Sequence, residues 1–148
     1  MTRSRFISGA SALLAGCAVN YLGDRLLGVQ IELFHGLDTF SFAWMLDMFF
    51  LPFVVGVLVA VIFGLGGKWL CYFPPLIVRL VSYIHLKHTG VPVDAALLPM
   101  GWWGFFVILT MESAAFGGII GEVVMKGTYG RSDPEKVYKG KTDDEGDS

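Results

Sequence analysis

The sequence predicts an all-α membrane protein, a bundle of four transmembrane helices followed by a disordered polar C-terminal tail. Apolar residues make up 54% of the 148 residues and charged residues only 16%, against roughly 25% in soluble domains. Of the 24 charged residues, 11 lie in residues 126–148, so residues 1–125 form a still more apolar domain. The long apolar runs favour helices over the short alternating strands of a membrane β-barrel.

Four segments have the length and polarity of bilayer spans, which need about 20 mainly apolar residues. They cover residues 6–27, 42–64, 69–86 and 100–125. The first span carries Asn20 and Asp24 toward its end, and the second and fourth are the most apolar. The third contains Pro74, Pro75 and Arg79, so a re-entrant or interfacial helix is the alternative to a full crossing.

The distribution of Lys and Arg orients the spans, because basic residues concentrate on the cytoplasmic side of membrane proteins. With four crossings and a cytoplasmic N-terminus, Lys87 is the single basic residue in an outer loop. The cytoplasmic side then holds Arg3, Arg5, Lys68, Lys126, Arg131, Lys136, Lys139 and Lys141. If residues 69–86 do not cross, the basic residues divide equally. The charges therefore favour a bacterial-type inner membrane protein with both termini in the cytoplasm.

Residues 11–20, SALLAGCAVN, allow two interpretations. The Leu-Ala-Gly-Cys sequence that ends at Cys17 resembles the lipobox of bacterial lipoproteins, in which the Cys is lipidated and the preceding residues are removed. Small residues also recur here every four positions, as in a surface for helix contact: Ser8, Ala12, Gly16 and Asn20. Because the apolar run continues beyond Cys17 as in a span, the packing interpretation is favoured. Cleavage before Cys17 would remove one crossing.

Two later spans carry small residues with the same spacing. The second has Gly56, Ala60 and Gly64, and the fourth has Ser113, Gly117 and Gly121, which includes a GxxxG motif. Small residues let helix backbones approach closely in lipid. We expect these residues to pack within the bundle, with docking onto a partner or onto a second copy as the alternative.

Charged residues inside the spans are the most informative feature, because an ionisable side chain in the membrane is costly and usually faces a partner or water. Arg79 and Glu112 lie at similar depths in the third and fourth spans, so the sequence predicts that they form an ion pair that fixes helix register. One alternative is a proton or ion relay with Glu112 as carrier. Another leaves Arg79 at the membrane surface, if residues 69–86 do not cross.

A second group of polar residues is predicted near the outer face of the membrane. It comprises Asn20, Asp24, His35, Asp47, His85 and His88. Histidine and carboxylate side chains together are typical zinc or copper ligands. The favoured alternative is that these residues are only the hydrated ends of spans and parts of loops, without a metal ion. The sequence therefore leaves a metal site undecided and predicts no other cofactor.

Catalytic sequence motifs are absent, including GxSxG, GxxxxGK[ST], HExxH and CxxCH, so an enzyme is not expected. A net charge of −2 gives no basic surface for nucleic acid. The expected function is that of a structural or accessory subunit that packs with other membrane proteins, or with itself, in the lipid bilayer. The alternatives are an oligomeric ion or small-solute transporter that uses Glu112 and Arg79, and a metal- or redox-handling protein.

Overall fold

The computed structural model describes the backbone of residues 2–129 and the side chains of residues 4–127. In this part, four helices are long and apolar enough to span a membrane. They are α1 (Thr2–Leu27), α2 (Phe42–Phe63), α3 (Gly67–Thr89) and α4 (Met100–Tyr129). They agree with the predicted spans to within four residues at each end. Residues 130–148, which make up most of the predicted tail, lie outside the described residues.

The helices alternate in direction, and α2 and α3 separate α1 from α4. The loops after α1 and α3 meet through two short antiparallel strands, β1 (Leu33–Phe34) and β2 (Ala96–Leu97). We call this the loop end of the bundle. The opposite end, at the turn of residues 64–66 between α2 and α3, is the turn end. Because the two loops pair, α3 runs from one end of the bundle to the other.

The small-residue stripe of α1 faces the other helices. The hydroxyl group of Ser8 donates a hydrogen bond to the Ile62 carbonyl over 3.0 Å. A Cβ atom on Gly16 would lie 2.8 Å from Cγ of Pro74, so α1 and α3 are in close contact there. The helix continues without a break through Cys17, as in a membrane span. Lipidation of Cys17 stays an untested alternative.

The closest backbone contact in the described part of the bundle lies between α2 and α4, at two predicted packing glycines. A Cβ atom on Gly56 would lie 1.9 Å from the Ala114 carbonyl oxygen, and one on Gly117 would lie 2.0 Å from that of Phe53. No side chain fits at either distance. Because glycine carries only a hydrogen atom in place of a side chain, the two helix backbones can touch. Membrane helices gain van der Waals energy from such close packing, since lipid gives no hydrophobic drive for their association.

The other predicted packing residues divide into two groups. Ala60 is fully buried, and a Cβ atom on Gly121 would lie 2.8 Å from the Ala60 side chain. Ser113 donates a hydrogen bond to the Phe49 carbonyl over 2.5 Å. Gly64 differs from the prediction: it ends α2 with a φ of +84°, and a Cβ atom there would meet nothing within 4 Å. Its role is to turn the chain, because glycine adopts this conformation at little cost.

Helix α2 contains a π-helical turn at Leu46–Phe50, between α-helical segments at Phe42–Met45 and Leu51–Phe63. The Leu51 N–H donates to the carbonyl of Leu46, five residues earlier. Pro52 follows and has no N–H with which to continue the α-helical pattern immediately. Such turns are frequent at functional sites, because they redirect a side chain. Here the turn contains Asp47.

Helix α3 tolerates its two prolines because of where they lie. It begins with a 3₁₀ segment, Gly67–Tyr72, and becomes α-helical at Phe73–Thr89. Pro74 and Pro75 therefore occupy the first turn of the α-helical segment, where N–H groups are least needed. The two prolines therefore do not interrupt the helix.

A buried carboxylate organises the turn end. Oε1 of Glu122 accepts hydrogen bonds from the N–H groups of Gly66, over 2.9 Å, and Lys68, over 3.1 Å. Glu122 is 8% exposed and lies on α4, so it ties this helix to the turn between α2 and α3. Residues 64–67, GLGG, thus form a turn, and the side chain of Glu122 satisfies the N–H groups of Gly66 and Lys68 there.

We predict that Gly117→Ala destabilises the bundle by about 2 kcal/mol or more, because the added methyl group forces α2 and α4 apart. The matched control is Gly104→Ala in the same helix, where a Cβ atom meets nothing within 4 Å. Alanine is the better helix former, so the control should be neutral or slightly stabilising. Unfolding of the detergent-solubilised protein in increasing SDS measures both. Equal stability of the two variants would contradict the close contact.

Candidate functional site

A single buried guanidinium group contacts acidic side chains from three parts of the chain. Nη2 of Arg79 donates hydrogen bonds to Oδ1 of Asp24 and Oδ2 of Asp47, each over 2.8 Å. Nη1 lies 3.7 Å from Oε1 of Glu32, an ion pair without a hydrogen bond. The side chains of Arg79, Asp47 and Glu32 are each at most 1% exposed. We call these four residues the Arg79 cluster.

Local structure positions each acidic member of the cluster. Asp24 lies near the end of α1, one turn after Asn20 on the packed face. Asp47 is turned toward α3 by the π-helical turn of α2. Glu32 precedes β1, and its carbonyl accepts a hydrogen bond from the Leu98 N–H over 2.9 Å. The pairing of the two loops therefore holds Glu32 over the end of the bundle.

The structure corrects the predicted ion pair between Arg79 and Glu112. The guanidinium group contacts the three carboxylates of the cluster instead. Glu112 is exposed on the outer surface of α4, and its neighbours one turn away, Ile108 and Phe116, are 57% and 63% exposed. Sequence counting gives the depth of a residue in a span, but it does not give the direction in which each helix turns its side chains.

Sequence analysis missed Glu32, which lies between the buried Ile31 and Leu33 in the loop after α1. The available signal was a lone acidic residue within an apolar run of a loop. Burial raises the pKa of the Glu32 carboxyl group, and this effect exceeds the opposing attraction of the Arg79 guanidinium. Glu32 thus resists ionisation more than an exposed glutamate does.

A cavity of about 560 Å³ opens beside the cluster at the loop end. Asp24, Glu32 and Arg79 line it, together with residues from the last turns of α1 and α3 and from the loop after α1. Among these are Tyr21, Arg25, Gln30, Ser82, His85 and Leu86. The side chain of Arg25 is exposed and donates a hydrogen bond to the Tyr21 hydroxyl over 2.9 Å. The cavity therefore connects buried carboxylates with the surroundings of the bundle.

The structure brings together part of the predicted outer polar group. Asp24 and Asp47 meet at Arg79, and His85 lines the same cavity as Asp24. His35 and His88 are exposed outside the cavity lining. Among residues 4–127, no three or more His, Cys, Asp or Glu side chains are arranged to hold a metal ion.

Asn20, the last member of that group, is fully buried on α1. Neither atom of its side-chain amide has a hydrogen-bond partner among the described residues. Buried polar groups are usually paired, and an ordered water molecule is the common partner where no side chain serves. Asn20 therefore extends the polar region of the cluster one helical turn deeper along α1.

Comparisons of the chain with models of protein families, with curated proteins and with solved structures find no match. The chemistry of the chain's own residues is therefore the basis for a functional proposal. A buried guanidinium group that contacts three carboxylates can hold helices together. Because two of these carboxylates line a cavity, the cluster can also bind a second cationic group there. The exposed Glu112 is a separate feature on another face.

We predict that Arg79→Met destabilises the protein by about 3–5 kcal/mol, because it leaves the buried carboxylates of Asp47 and Glu32 and the partly buried one of Asp24 without their cation. The same substitution at Arg25, which is exposed on the neighbouring α1, is the matched control and should change the unfolding free energy little. Thermal unfolding in detergent, followed by circular dichroism, compares the two variants. A melting temperature of Arg79→Met equal to that of Arg25→Met would contradict a central role for the cluster.

From the raised pKa of Glu32 we predict how the free energy of unfolding depends on pH. The unfolded chain loses the Glu32 proton as pH rises above the ordinary pKa of 4.5, whereas the folded protein keeps it until its higher pKa is reached. Between these two pKa values, the contribution of Glu32 to the free energy of unfolding falls as pH rises. Glu32→Gln, which does not titrate, should remove this fall. The measurement is the difference in unfolding free energy between wild type and Glu32→Gln from pH 4 to pH 8. A difference that is independent of pH, or that favours wild type more at high pH, would contradict the raised pKa.

Proposed function

We propose that this chain is a small multi-pass subunit or accessory protein of a larger assembly in a bacterial-type inner membrane. The observation that carries the proposal is Glu112, an acidic side chain exposed near the middle of the long apolar helix α4. It lies 12 residues from Met100 and 15 from Gly127, or about 18 Å and 22 Å along the helix. Neither end of the helix is within easy reach of its carboxyl group.

An acidic side chain at this depth is costly if it faces lipid. Insertion of a carboxylate near the middle of a membrane helix costs several kcal/mol, and the usual solution is a polar partner or a water-filled path. The neighbours of Glu112 on the same face are large and apolar, namely Phe105, Ile108, Phe116 and Ile119, each 48% exposed or more. An apolar face with one central acid is suited to a partner helix that supplies a cation or a hydrogen-bond donor.

The charges favour a different protein over a second copy as the partner. In residues 4–127 the basic side chains lie toward helix ends, apart from Arg79, whose charge is used in its cluster. Those near helix ends are Arg5, Arg25, Lys68, Lys87 and Lys126. A second copy therefore offers no free cation at the depth of Glu112. A partner with a Lys, Arg or His near the middle of a span does.

The alternatives have less support. A relay between Glu112 and Arg79 requires them on one path, whereas Arg79 is enclosed by its own carboxylates and Glu112 is exposed on α4. A metal-handling role requires a converging set of ligands, which residues 4–127 do not provide. The excess of basic residues at the turn end and near both termini supports an orientation with both termini in the cytoplasm. We expect no enzymatic activity from the chain alone.

We predict that Glu112→Ala releases the chain from its assembly. The test is purification from native membranes in mild detergent through a C-terminal tag, with quantitative mass spectrometry of the retained membrane proteins. Because the variant removes the carboxyl group that the partner contacts, the amount of one stoichiometric subunit that co-purifies is expected to fall about tenfold or more. Glu112→Gln, which keeps a hydrogen-bonding group, should give an intermediate loss. Intact mass from the same sample also reports whether Cys17 is lipidated.

Two controls make this test specific. Asp94→Asn removes the same charge from an exposed loop position and should leave every partner in place. A photo-crosslinking residue at Ile108, beside Glu112, should capture the partner, whereas one at Leu14, which is 70% exposed on α1, should not. Retention of the same subunits by Glu112→Ala as by wild type would refute the proposal. A homo-oligomer crosslinked through Ile108 would replace it with self-association.

A further inference from the structure

The cavity at the loop end of the bundle carries an inference that does not depend on the proposed assembly. It has a volume of about 560 Å³ and is bounded by α1, α3 and the loop after α1. Pockets of several hundred Å³ with a few convergent polar groups are the usual binding sites for small molecules. The question is which chemistry the polar groups of this cavity would recognise.

The first observation is an imbalance of charge. The Arg79 cluster sets one guanidinium against the carboxyl groups of Asp24, Asp47 and Glu32, so its formal charge is −2 with all groups ionised and −1 while Glu32 keeps its proton. Asp24 and Glu32 line the cavity, so part of the excess negative charge faces open space. Arg25 also lines the cavity, but it is exposed and engaged with Tyr21. A cation that enters the cavity would balance a charge that the cluster itself leaves open.

The second observation is an acceptor atom without a donor. Oε1 of Glu32 has no hydrogen-bond partner among the described residues, although the side chain is 1% exposed and lines the cavity. Its nearest cationic atom, Nη1 of Arg79, is 3.7 Å away, beyond hydrogen-bonding distance. A buried carboxylate oxygen without a donor is costly. A ligand with an N–H group in the cavity would satisfy it.

The third observation is the direction of the flanking helices. Both α1 and α3 end beside the cavity, since Gly28 and Thr89 line it. The carboxyl ends of helices carry partial negative charge, which favours cations and adds to the effect of the carboxylates. The apolar part of the lining comes from Val29, Val81 and Leu86.

We propose that this cavity binds a small organic cation, a protonated primary amine with a compact apolar body. The ammonium group would donate hydrogen bonds to Glu32 and Asp24, and the apolar part would contact Val81 and Leu86. A metal ion fits less well, because residues 4–127 contain no converging set of metal ligands. A quaternary ammonium also fits less well, because it has no N–H donor and Tyr21 is the single Phe, Tyr or Trp in the lining.

The experiment uses the full-length protein in detergent and n-butylammonium as the probe, with isothermal titration calorimetry as the readout. Saturable binding is expected. Two matched compounds test the chemistry: 1-butanol has the same apolar chain without the charge, and tetramethylammonium has the charge without an N–H donor. Both are expected to bind at least about tenfold more weakly, because butanol loses the ionic attraction to the carboxylates and tetramethylammonium loses the N–H hydrogen bond to them.

Variants test the location. Glu32→Gln should weaken butylammonium binding by about tenfold or more, whereas Asp38→Asn, an exposed acidic position on the same loop, should not change it. If Glu32→Gln unfolds, Ser82→Leu reduces the volume of the cavity without changing its charge and should also abolish binding. Glu112→Ala should bind butylammonium as wild type does, which separates this site from the assembly face.

Three results would overturn the proposal. They are the absence of saturable butylammonium binding to the folded wild-type protein, equal binding of butanol or tetramethylammonium, and binding that survives both Glu32→Gln and Ser82→Leu. If the first of these results comes with uptake of protons in a titration from pH 8 to pH 5, protons rather than an amine balance the cluster.

Discussion

The burial of the Arg79 guanidinium is the constraint on which the arrangement of the helices depends. Its hydrogen bonds reach Asp24 on α1 and Asp47 on α2, and its ion pair reaches Glu32 in the loop after α1. In a membrane, the hydrophobic effect does not select one helix arrangement over another, whereas an unpaired buried charge is strongly disfavoured. The cluster therefore specifies which sides of α1, α2 and α3 meet. The π-helical turn that presents Asp47 is the local adjustment that this arrangement requires.

The fourth helix is held by other means. It contacts α2 backbone to backbone at Gly56 and Gly117, and it reaches the turn end through the carboxylate of Glu122. At the loop end, a buried apolar group that includes Trp44, Trp103 and Phe106 fills the space between α2 and α4. The bundle is thus fixed by charge near one end, by small residues along its length and by a capped turn at the other end.

Four acidic residues in one chain show how position decides chemistry. Asp24, Asp47 and Glu32 are enclosed around a cation and lie beside a cavity, whereas Glu112 is exposed on an apolar helix face. The first three pair with Arg79, and two of them, Asp24 and Glu32, also line the cavity. The fourth contributes nothing visible to the fold, which is why we assign it to contacts outside the chain.

The four helices, and their limits to within four residues, could be predicted from the amino-acid sequence, because the thickness of the bilayer sets the length of an apolar run. The sequence also indicated contact faces on α1, α2 and α4, since the spacing of small residues follows helix geometry; Gly64 was the exception, because a turn uses the same residue type for its backbone freedom. It did not determine the partners of Arg79. Ion pairing depends on the rotation of each helix about its axis and on which helices are neighbours, and residues near one depth can face opposite ways. The burial of Glu32 was likewise decided by the tertiary structure, because it depends on two loops, separated by more than 60 residues, that pair at Leu33 and Leu97.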